Sequence, residues 1–369
     1  MMRWLYRLSA RGFRQSSPPT HPQKIVILKP CCIGDVVMTT PLLMAIRATY
    51  PQAHITFAVG EWSMGALEGQ VAIDHLLNIG VSANPAKSLR GIGRLVRQLR
   101  HEKADLAFIP DRSPLLGLAI WLAGIKHRVG LDSDGRGFAH TVRVAVHPDE
   151  EVNEGAIYLR LAEAIGITTD NIFTHVDIPS HAEKMIQAML IAHGISAPYI
   201  VIHAGGGANP GMVMSSKRWL PAHFAKVAET LCDDNISLIL IGAKTDMPII
   251  QAVIDHLAIP YHNWAGELSL MQIGALGRMA RVYIGNDTGL THLVAGAGGK
   301  TVMILGPSSP KRYAPYSPNA LAIWKPVPLP TQGVAGTGDD WDWERNGVGV
   351  DEALTAIEQF LDFTAHTNR

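Results

Sequence analysis

One local pattern constrains the fold of this chain more than any other, and it occurs twice: an apolar run, a polar turn and then a helix-forming segment. The run Arg281–Ile284 leads into the polar turn Asn286–Gly289, and an alanine- and glycine-rich stretch follows. Near the N-terminus, Lys24–Lys29 leads into Ile33–Asp35 and further helix-forming residues. A strand that turns into a helix presents unpaired backbone N–H groups, which favour an anion such as phosphate. The alternative is that these polar residues only cap their helices.

Apolar, strand-like runs alternate with helical patterns along the whole chain. The further predicted strands are His54–Gly60, Ala104–Ile109, Tyr199–His203, Ile236–Gly242 and Thr301–Gly306. This alternation predicts parallel sheets covered by helices on both faces. The pattern loosens near residues 168–182 and then restarts, and 369 residues are enough for two domains. We therefore predict an α/β fold of two facing, doubly wound Rossmann-like domains with an interdomain cleft that binds the ligand.

The pattern also predicts where the parts of the chain begin and end. We expect an N-terminal tail at 1–22, a first Rossmann-like domain at 23–178, a second at 179–349 and a final helical segment at 350–369. Within the second domain, residues 326–349 are rich in Pro, Gly, Asp and Trp, which predicts a loop. The apolar run Leu115–Ile125 is too short to span a bilayer and predicts a buried helix.

Charge and cysteine content exclude several classes of protein. Lys plus Arg and Asp plus Glu total 32 each, and this balance argues against a general nucleic-acid binder. The three cysteines, Cys31, Cys32 and Cys232, form no CxxC pair, so neither a disulfide framework nor a zinc site is predicted, and a reducing compartment is expected. The tail Met1–Arg14 interleaves arginines with aromatic residues. It is either a short interfacial helix on anionic lipid or a frayed end.

Three motifs, taken together and in this order, resemble a known family. The first is Cys31–Pro41 after the first strand; the second is His203–Gly207 with Lys217–Trp219; the third is Asp287–His292 with the later Gly306-Pro307. They are similar to the signatures of the ADP-heptose glycosyltransferases of bacterial lipopolysaccharide core synthesis, glycosyltransferase family nine. The resemblance covers about residues 24–310, and Cys31 and Cys32 depart from it because small or hydroxyl residues are usual there.

The resemblance implies a fold and an activity. It implies a GT-B-like inverting glycosyltransferase that moves a heptose from ADP-heptose to a saccharide acceptor, in lipopolysaccharide core or related cell-surface glycan synthesis. Asp35 would be the catalytic base, and Lys217 would pair with the departing diphosphate. Backbone N–H groups of Asp287, Thr288 and Gly289 would hold that diphosphate. His292, about one turn further along the helix, would reach the same phosphates.

Four further residues are predicted to contact or approach the donor. Gly34, Gly205 and Gly206 permit close approach of a ligand to the backbone. Asp246 stands where the family usually has a glutamate that contacts the adenosine ribose, and its side chain is one methylene shorter. The resemblance also implies that the final helix, Val350–Phe363, crosses back to the first domain.

The expected partners are an ADP-activated sugar and a lipid-linked or cell-surface saccharide acceptor, with no nucleic acid and no cofactor. No metal is expected, because Lys217 and a helix N-terminus supply positive charge and no Asp-x-Asp pair is evident. The predicted location is the cytoplasm, with peripheral contact at the inner face of the cytoplasmic membrane. Two alternatives stay open: a non-catalytic sugar-nucleotide-binding module of the same fold, and a related glycosyltransferase that uses another nucleotide sugar. A nucleotide-dependent oxidoreductase would need a dinucleotide fingerprint, which the sequence lacks.

Overall fold

The computed structural model describes residues 13, 15–81, 88–209, 212–329 and 341–367, the side chains of 365–367 excepted. The chain divides into two compact units, Met1–His175 and Val176–Arg369. The predicted N-terminal tail lies mostly outside the described residues. No helix within the described ranges combines the length and the apolar character needed to cross a bilayer.

The first unit alternates strands and helices. Its strands are β1 (Lys24–Leu28), β2 (His54–Val59), β3 (His75–Asn78), β4 (Leu106–Ile109), β5 (His127–Asp132) and β6 (Val142–Ala145). Its helices are α1 (Ile33–Met38), α2 (Thr40–Thr49), α3 (Glu61–Met64), α4 (Leu89–Glu102), α5 (Pro114–Leu122) and α6 (Glu154–Glu163). A short 3₁₀ helix, Gly65–Leu67, follows α3.

The six strands of the first unit form one sheet in the order β3-β2-β1-β4-β5-β6. Every neighbouring pair is parallel. This is the Rossmann strand order, in which the connections reverse direction between β1 and β4. Ligands of such sheets bind outside the carboxyl ends of the strands at this reversal. The loops after β1 and β4 are therefore the ones that position a site in this unit.

The second unit repeats the alternation. Its strands are β7 (Tyr199–His203), β8 (Ala208–Asn209), β9 (Met212–Val213), β10 (Ser237–Leu240), β11 (His262–Asn263), β12 (Val282–Asn286), β13 (Thr301–Leu305) and β14 (Ala320–Trp324). Its α-helices are α7 (Ser180–Ala192), α8 (Pro221–Leu231), α9 (Met247–Ile254), α10 (Leu270–Met279), α11 (Gly289–Gly296), α12 (Pro310–Tyr313), α13 (Trp343–Asn346) and α14 (Val350–Thr367). Two 3₁₀ helices, Ser215–Lys217 and Lys244–Asp246, complete it.

The main sheet of the second unit has the order β11-β10-β7-β12-β13-β14, again entirely parallel. Counted within the unit this is the same 3-2-1-4-5-6 order, so the reversal lies between β7 and β12. The predicted Rossmann-like fold is confirmed for each unit by itself. Strands β8 and β9 form a separate two-stranded antiparallel ribbon between β7 and α8.

The central strands are apolar because both faces of a parallel sheet are covered by helices. In β1 the residues Ile25–Leu28 are all buried, and in β7 every residue from Tyr199 to His203 is buried. The helical stretch after β1 is interrupted at Thr39, where α1 ends and α2 begins. Pro41 lies in the first turn of α2, where a missing N–H costs no helical hydrogen bond, so this residue sets the restart.

Two sequence predictions need correction. The run Leu115–Ile125 was expected to be a buried helix, but α5 exposes 45% of Trp121 and 40% of Leu122 while Ile120 is buried. A helix on the outside of a sheet buries one stripe and leaves the other open to water. The region 326–349 was expected to be a loop, yet its described part contains α13, whose Trp343 side chain is buried against the core of the second unit.

The last helix, α14, packs against α8 and β14 of the second unit. Ala353 and Ile357 on its inner face are fully buried in the core of that unit. These contacts explain why the chain forms a regular helix after the glycine-rich segment that ends at Gly349, because an amphipathic helix is stabilised mainly by what it packs against.

Candidate functional site

Asp35 lies in the first turn of α1, directly beyond the carboxyl end of β1. Its Oδ2 accepts a hydrogen bond from the Cys32 backbone N–H at 3.3 Å, so one oxygen helps to cap the helix. Its Oδ1 accepts a hydrogen bond from the Tyr158 hydroxyl at 2.8 Å. The side chain keeps 38% of its surface exposed. Capping and chemistry are therefore compatible at this residue, since the carboxylate is oriented by its contacts and still reachable from solution.

A buried cation stands behind this carboxylate. Lys29, the residue after β1, places its Nζ 3.6 Å from Asp35 Oδ1 and 3.4 Å from Asp111 Oδ2. The same Nζ donates to the Tyr158 hydroxyl at 3.1 Å. Burial alone would lower the pKa of Lys29, but Asp35, Asp111 and Glu154 outweigh it and raise that pKa, so the ammonium stays charged.

Tyr158 joins the cation to the carboxylate. Its hydroxyl accepts from Lys29 and donates to Asp35, and it is fully enclosed between them. Burial, together with the nearby Asp35 and Glu154 carboxylates, raises the pKa of Tyr158 well above its usual value. The phenol therefore stays protonated, and a charged ammonium and a hydrogen-bond donor both favour the ionised form of Asp35.

The loop after β4 contributes Asp111 and Arg112 to the charged group around Lys29, at the reversal point of the sheet, and α6 contributes Glu154. Arg112 forms a two-pronged ion pair with Glu154, at 2.8 Å and 3.1 Å between nitrogen and oxygen atoms. Burial would lower the pKa of Arg112, but Glu154 raises it overall. Asp111 accepts from the Ser113 backbone N–H at 2.8 Å and so holds the loop in its turn.

Sequence reasoning identified Gly34 and Asp35 but missed the residues that support them. Gly34 occupies the second position of α1, beside Asp35. Lys29 had a readable signal, because a lysine that ends an otherwise apolar strand is placed at the ligand edge of the sheet. Tyr158 had none: it lies in α6, more than a hundred residues from Asp35, and only the fold brings the two together.

Cys31 and Cys32 form a disulfide between adjacent residues, immediately before α1. The sequence analysis predicted no disulfide, and this pair corrects it. Pairing rules read from spacing concern cysteines that staple distant segments, so they carry no information on neighbours. Cys232, in the second unit, is a free thiol.

In the second unit, a glycine turn that contains Gly205 and Gly206 follows β7, and Asp246 holds it through a hydrogen bond. Asp246 Oδ1 accepts from the Gly206 backbone N–H at 3.1 Å, and its Oδ2 accepts from the Ala243 N–H at 2.9 Å. A Cβ at Gly205 would collide with the Asp246 carboxyl group, and Gly206 has a φ of +89°, so glycine is required at both positions. Burial would raise the pKa of Asp246, but His203 and these two N–H groups lower it to about 2.

Asn286, the last residue of β12, connects the segments of this unit that carry the motifs. Its Oδ1 accepts from the Trp219 backbone N–H at 2.9 Å. Its Nδ2 donates to the carbonyl oxygens of Ala204 at 2.8 Å and Gly205 at 3.1 Å. The side chain is completely buried. The sequence placed Asn286 in a polar turn, with a helix cap as the alternative, whereas the structure makes it the link between the glycine turn and the segment that holds Lys217.

Lys217 and Asp287 form an ion pair beside the N-terminus of α11. Lys217 Nζ lies 2.6 Å from Asp287 Oδ2, with 14% and 5% of the two side chains exposed. Burial would raise the pKa of Asp287, but Lys217 and His292 lower it, so the carboxylate is ionised. The centroid of the Tyr313 ring lies 5.8 Å from the Lys217 ammonium. Asp287 thus holds the lysine in a fixed position at the helix entrance.

Helix α11 begins at Gly289 with Thr288 as its N-cap residue, and the Thr288 side chain makes no capping hydrogen bond. Its hydroxyl lies 3.4 Å from His203 Nδ1 and 3.3 Å from the Thr291 hydroxyl instead. The backbone N–H groups of the first turn, at the positive end of the helix dipole, therefore receive no cap from the Thr288 side chain. His292 is buried within this first turn and sits close enough to Asp287 to lower the pKa of that carboxyl.

The predicted residues fall into two sets. The second unit brings eight of them together: Gly205, Gly206, Lys217, Asp246, Asp287, Thr288, Gly289 and His292. The first unit holds Gly34 and Asp35. Among the described residues no group of three or more His, Cys, Asp and Glu side chains is arranged to hold a metal ion. An ionised carboxylate that is open to solution suits proton removal, and an uncapped helix N-terminus beside a lysine suits a phosphate group.

Comparisons with known proteins identify similar sequences. The model of glycosyltransferase family 9 (heptosyltransferase) matches residues 92–334. The chain is 28% identical over 319 residues to lipopolysaccharide heptosyltransferase 2 of Escherichia coli strain K12, covering 81% of this chain and 87% of that protein.

Solved structures share the fold. The glycosyl transferase family 9 structure from Veillonella parvula DSM 2008 matches with a TM-score of 0.76 at 20% identity, covering 94% of this chain and 99% of that one. The ADP-heptose lipopolysaccharide heptosyltransferase II of E. coli matches with a TM-score of 0.72 at 22% identity, covering 93% and 99%.

The contacts of Asn286 generate a stability prediction. The substitution Asn286→Ala leaves a buried N–H of Trp219 and two buried carbonyl groups without their partner, and each such loss costs about 1–3 kcal/mol. We expect the free energy of unfolding to fall by about 3 kcal/mol or more, measured by urea denaturation. The matched control is Asn235→Ala, because Asn235 is exposed, and it should stay within about 0.5 kcal/mol of the parent. Equal effects of the two substitutions would contradict the linking role of Asn286.

Proposed function

The chain belongs to glycosyltransferase family 9, the heptosyltransferases, and we propose that it transfers a heptose from ADP-heptose to a saccharide acceptor of lipopolysaccharide core synthesis, with inversion at the anomeric carbon. The observation that carries the proposal is the uncapped N-terminus of α11 beside the Lys217 ammonium, which suits a diphosphate. A second support is Asp35 in the first unit, an exposed carboxylate held by a charged lysine and a phenol.

Donor binding is assigned to the second unit. We assign the diphosphate to the backbone N–H groups of Asp287, Thr288 and Gly289, with Lys217 as the counter-charge. In the unliganded protein Asp287 already neutralises Lys217, so an incoming diphosphate competes with that carboxylate for the ammonium. As the bond between sugar and phosphate breaks, negative charge grows on the diphosphate, and the preorganised N–H groups and the lysine stabilise it. We assign His292, which lies in the same first turn of α11, to the same phosphates.

Asp246 is assigned a supporting part in donor binding. Both of its oxygens accept hydrogen bonds from backbone N–H groups, and its side chain is almost entirely buried. It therefore fixes the backbone of the turn that contains Gly205 and Gly206. In this proposal those glycines bring the backbone close to the donor, and Asp246 preserves their conformation rather than reaching the ribose itself.

Proton removal is assigned to Asp35. An inverting transfer is a single displacement, in which the acceptor hydroxyl loses its proton as it attacks the sugar. Lys29 and Tyr158 keep one carboxylate oxygen in place, and the exposed part of the group accepts the proton. Only the partly exposed Asp35 changes charge, while Lys29, Asp111, Arg112 and Glu154 behind it keep theirs, which limits the cost of each proton transfer.

We further propose that the enzyme works in the cytoplasm, at the inner face of the cytoplasmic membrane, where a lipid-linked acceptor would be presented. The tail Met1–Arg14, mostly outside the described residues, has the mixture of arginine and aromatic side chains that suits an anionic interface.

The donor is tested by calorimetric titration with a panel of sugar nucleotides. We expect ADP-heptose and ADP to bind, and UDP- and GDP-sugars to bind at least tenfold more weakly, which corresponds to about 1.4 kcal/mol. Transfer should persist in EDTA, because Lys217 and the helix N-terminus supply the positive charge. Tighter binding of UDP- or GDP-sugars, or a loss of transfer in EDTA that magnesium restores, would overturn this assignment.

The base is tested by Asp35→Asn, which keeps the shape and the capping ability of the side chain but cannot accept the proton. We expect kcat to fall about a hundred- to ten-thousand-fold with little change in donor affinity. The matched control is Asp111→Asn, which removes the same charge from the Lys29 cluster without touching Asp35. It should lower kcat far less. If Asp35→Asn stays within a factor of a few of the parent, Asp35 is only a cap.

Lys217 is tested by Lys217→Ala, with the exposed lysine variant Lys226→Ala as control. A charge-assisted contact is worth about 1.5–3 kcal/mol, so we expect the Kd for ADP to rise about tenfold to a hundredfold. Because Lys217 also meets the charge that develops in the transition state, kcat should fall as well. Unchanged ADP affinity in Lys217→Ala, with the protein folded, would remove Lys217 from the donor site.

A further inference from the structure

The outer face of α4 carries a row of arginines. Arg90, Arg94 and Arg97 are spaced four and three residues apart, which places them on one face of the helix, and all three are exposed. The opposite face packs into the core of the first unit through Leu95 and Leu99, both buried. We call these three arginines the arginine stripe. It lies on the exposed face of α4, opposite the face that packs into the core.

Within the described parts of the chain, the stripe has no acidic partner. No carboxylate there lies within ion-pair distance of Arg90, Arg94 or Arg97. Glu102, the acidic residue of the same helix, instead contacts the Thr56 hydroxyl and the His75 ring through its Oε2. Three unpaired cations on one exposed face make a local positive field, although the formal net charge of the chain is zero.

Exposed apolar side chains lie on segments next to the stripe. Leu89, the first residue of α4, is 89% exposed, Val81 is 73% exposed and Trp62 in α3 is 50% exposed. Isolated exposed hydrophobic residues are ordinary, but here they accompany a row of cations. Arginines together with a tryptophan and aliphatic residues are the composition of a surface that rests on a bilayer.

Hydrogen bonds tie these segments to the loop between β1 and α1, which directly precedes Asp35. The Gly60 backbone N–H donates to the carbonyl of Pro30 at 3.0 Å, and the Glu61 N–H donates to the carbonyl of Gly80 at 3.0 Å. The loops after β1, β2 and β3 therefore form one continuous edge, which is also the edge from which α4 begins. Trp62 lies in the first turn of α3, directly after the loop that follows β2, and Val81 follows Gly80.

We propose that the arginine stripe, with Trp62, Val81 and Leu89, docks the first unit on an anionic lipid bilayer. This rests on the proposed function and deepens it, because docking along this edge would place Asp35 near an acceptor anchored in the same bilayer. The positive stripe complements the anionic headgroups, and the apolar residues enter the interface beside it. The apolar part favours a bilayer over nucleic acid, whose phosphates offer no apolar partner for Val81 and Leu89.

The test is binding of the full-length protein to vesicles of phosphatidylglycerol and phosphatidylethanolamine, measured by sedimentation. Each arginine near an anionic surface contributes about fivefold to partitioning, so the triple variant Arg90→Gln, Arg94→Gln, Arg97→Gln should bind about a hundredfold more weakly at low salt. The matched control replaces three exposed cations of the second unit, Lys184, Lys226 and Arg281, by glutamine, and should bind like the parent.

A second variant addresses the apolar part. Leu89→Ser with Trp62→Ser should weaken binding even at high salt, where the contribution of the arginines is screened. Equal vesicle binding of the parent and the stripe variant, equal losses in the stripe and control variants, or no preference for anionic over phosphatidylcholine vesicles would each overturn the proposal.

The binding assay needs no heptose transfer, so it stands apart from the proposed activity. With a water-soluble acceptor fragment, the stripe variant should keep the kcat of the parent; with the acceptor embedded in anionic vesicles, its rate should fall in proportion to the binding lost. Failure of transfer in every protein, with the vesicle results as expected, would count against the proposed function and not against the docking surface.

Discussion

The buried amide of Asn286 is the contact on which the second unit's site depends. One side chain binds the carbonyl groups of the glycine turn after β7 and the backbone N–H of Trp219, and it occupies the residue just before Asp287. Three stretches of sequence meet at this amide: the glycine turn, the segment of Trp219 and the end of β12. Asn286 and Ala204 are some eighty residues apart. Because a buried amide that loses its partners is costly, the arrangement is rigid. The positions of Lys217 and of the N-terminus of α11 depend on the hydrogen bonds of Asn286. The proposed diphosphate site is therefore formed before a ligand binds.

Each unit supports a charged residue of its candidate site with a buried residue of opposite charge. Each places its polar residues at the reversal point of a 3-2-1-4-5-6 sheet, where the carboxyl ends of strands leave room for a ligand. In the first unit a buried ammonium, Lys29, supports a carboxylate that faces solution. In the second unit a buried carboxylate, Asp287, supports an ammonium at a helix N-terminus. The buried charge in each unit is opposite in sign to the charge it supports, which fits the proposal of a base in the first unit and a phosphate site in the second.

Much of the fold could be predicted from the sequence, because parallel strands buried on both faces are continuous apolar runs. The predicted and observed bounds of the strand at Tyr199–His203 coincide. The positions of Asp35 after β1 and of Lys217 beside α11 could be predicted from residue type and place along the chain, while their roles stay predictions. The site was not predictable where the role depends on a partner that the fold supplies. Tyr158 is an ordinary helical tyrosine in the sequence, and Asn286 looks like a cap. The exposed side of α5 and the buried Trp343 were missed for the same reason, since burial is decided by packing and not by local composition.

The claim that the rest depends on is the place of the donor diphosphate, and a crystal structure of the protein with bound ADP tests it most directly. We expect the diphosphate oxygens within hydrogen-bonding distance of the backbone N–H groups of Thr288 and Gly289, with Lys217 turned from Asp287 towards the phosphates. The glycine turn at Gly205 and Gly206 should stay where Asn286 and Asp246 hold it. ADP bound away from the N-terminus of α11, or bound there with the ion pair between Lys217 and Asp287 intact and no phosphate on the lysine, would contradict the assignment.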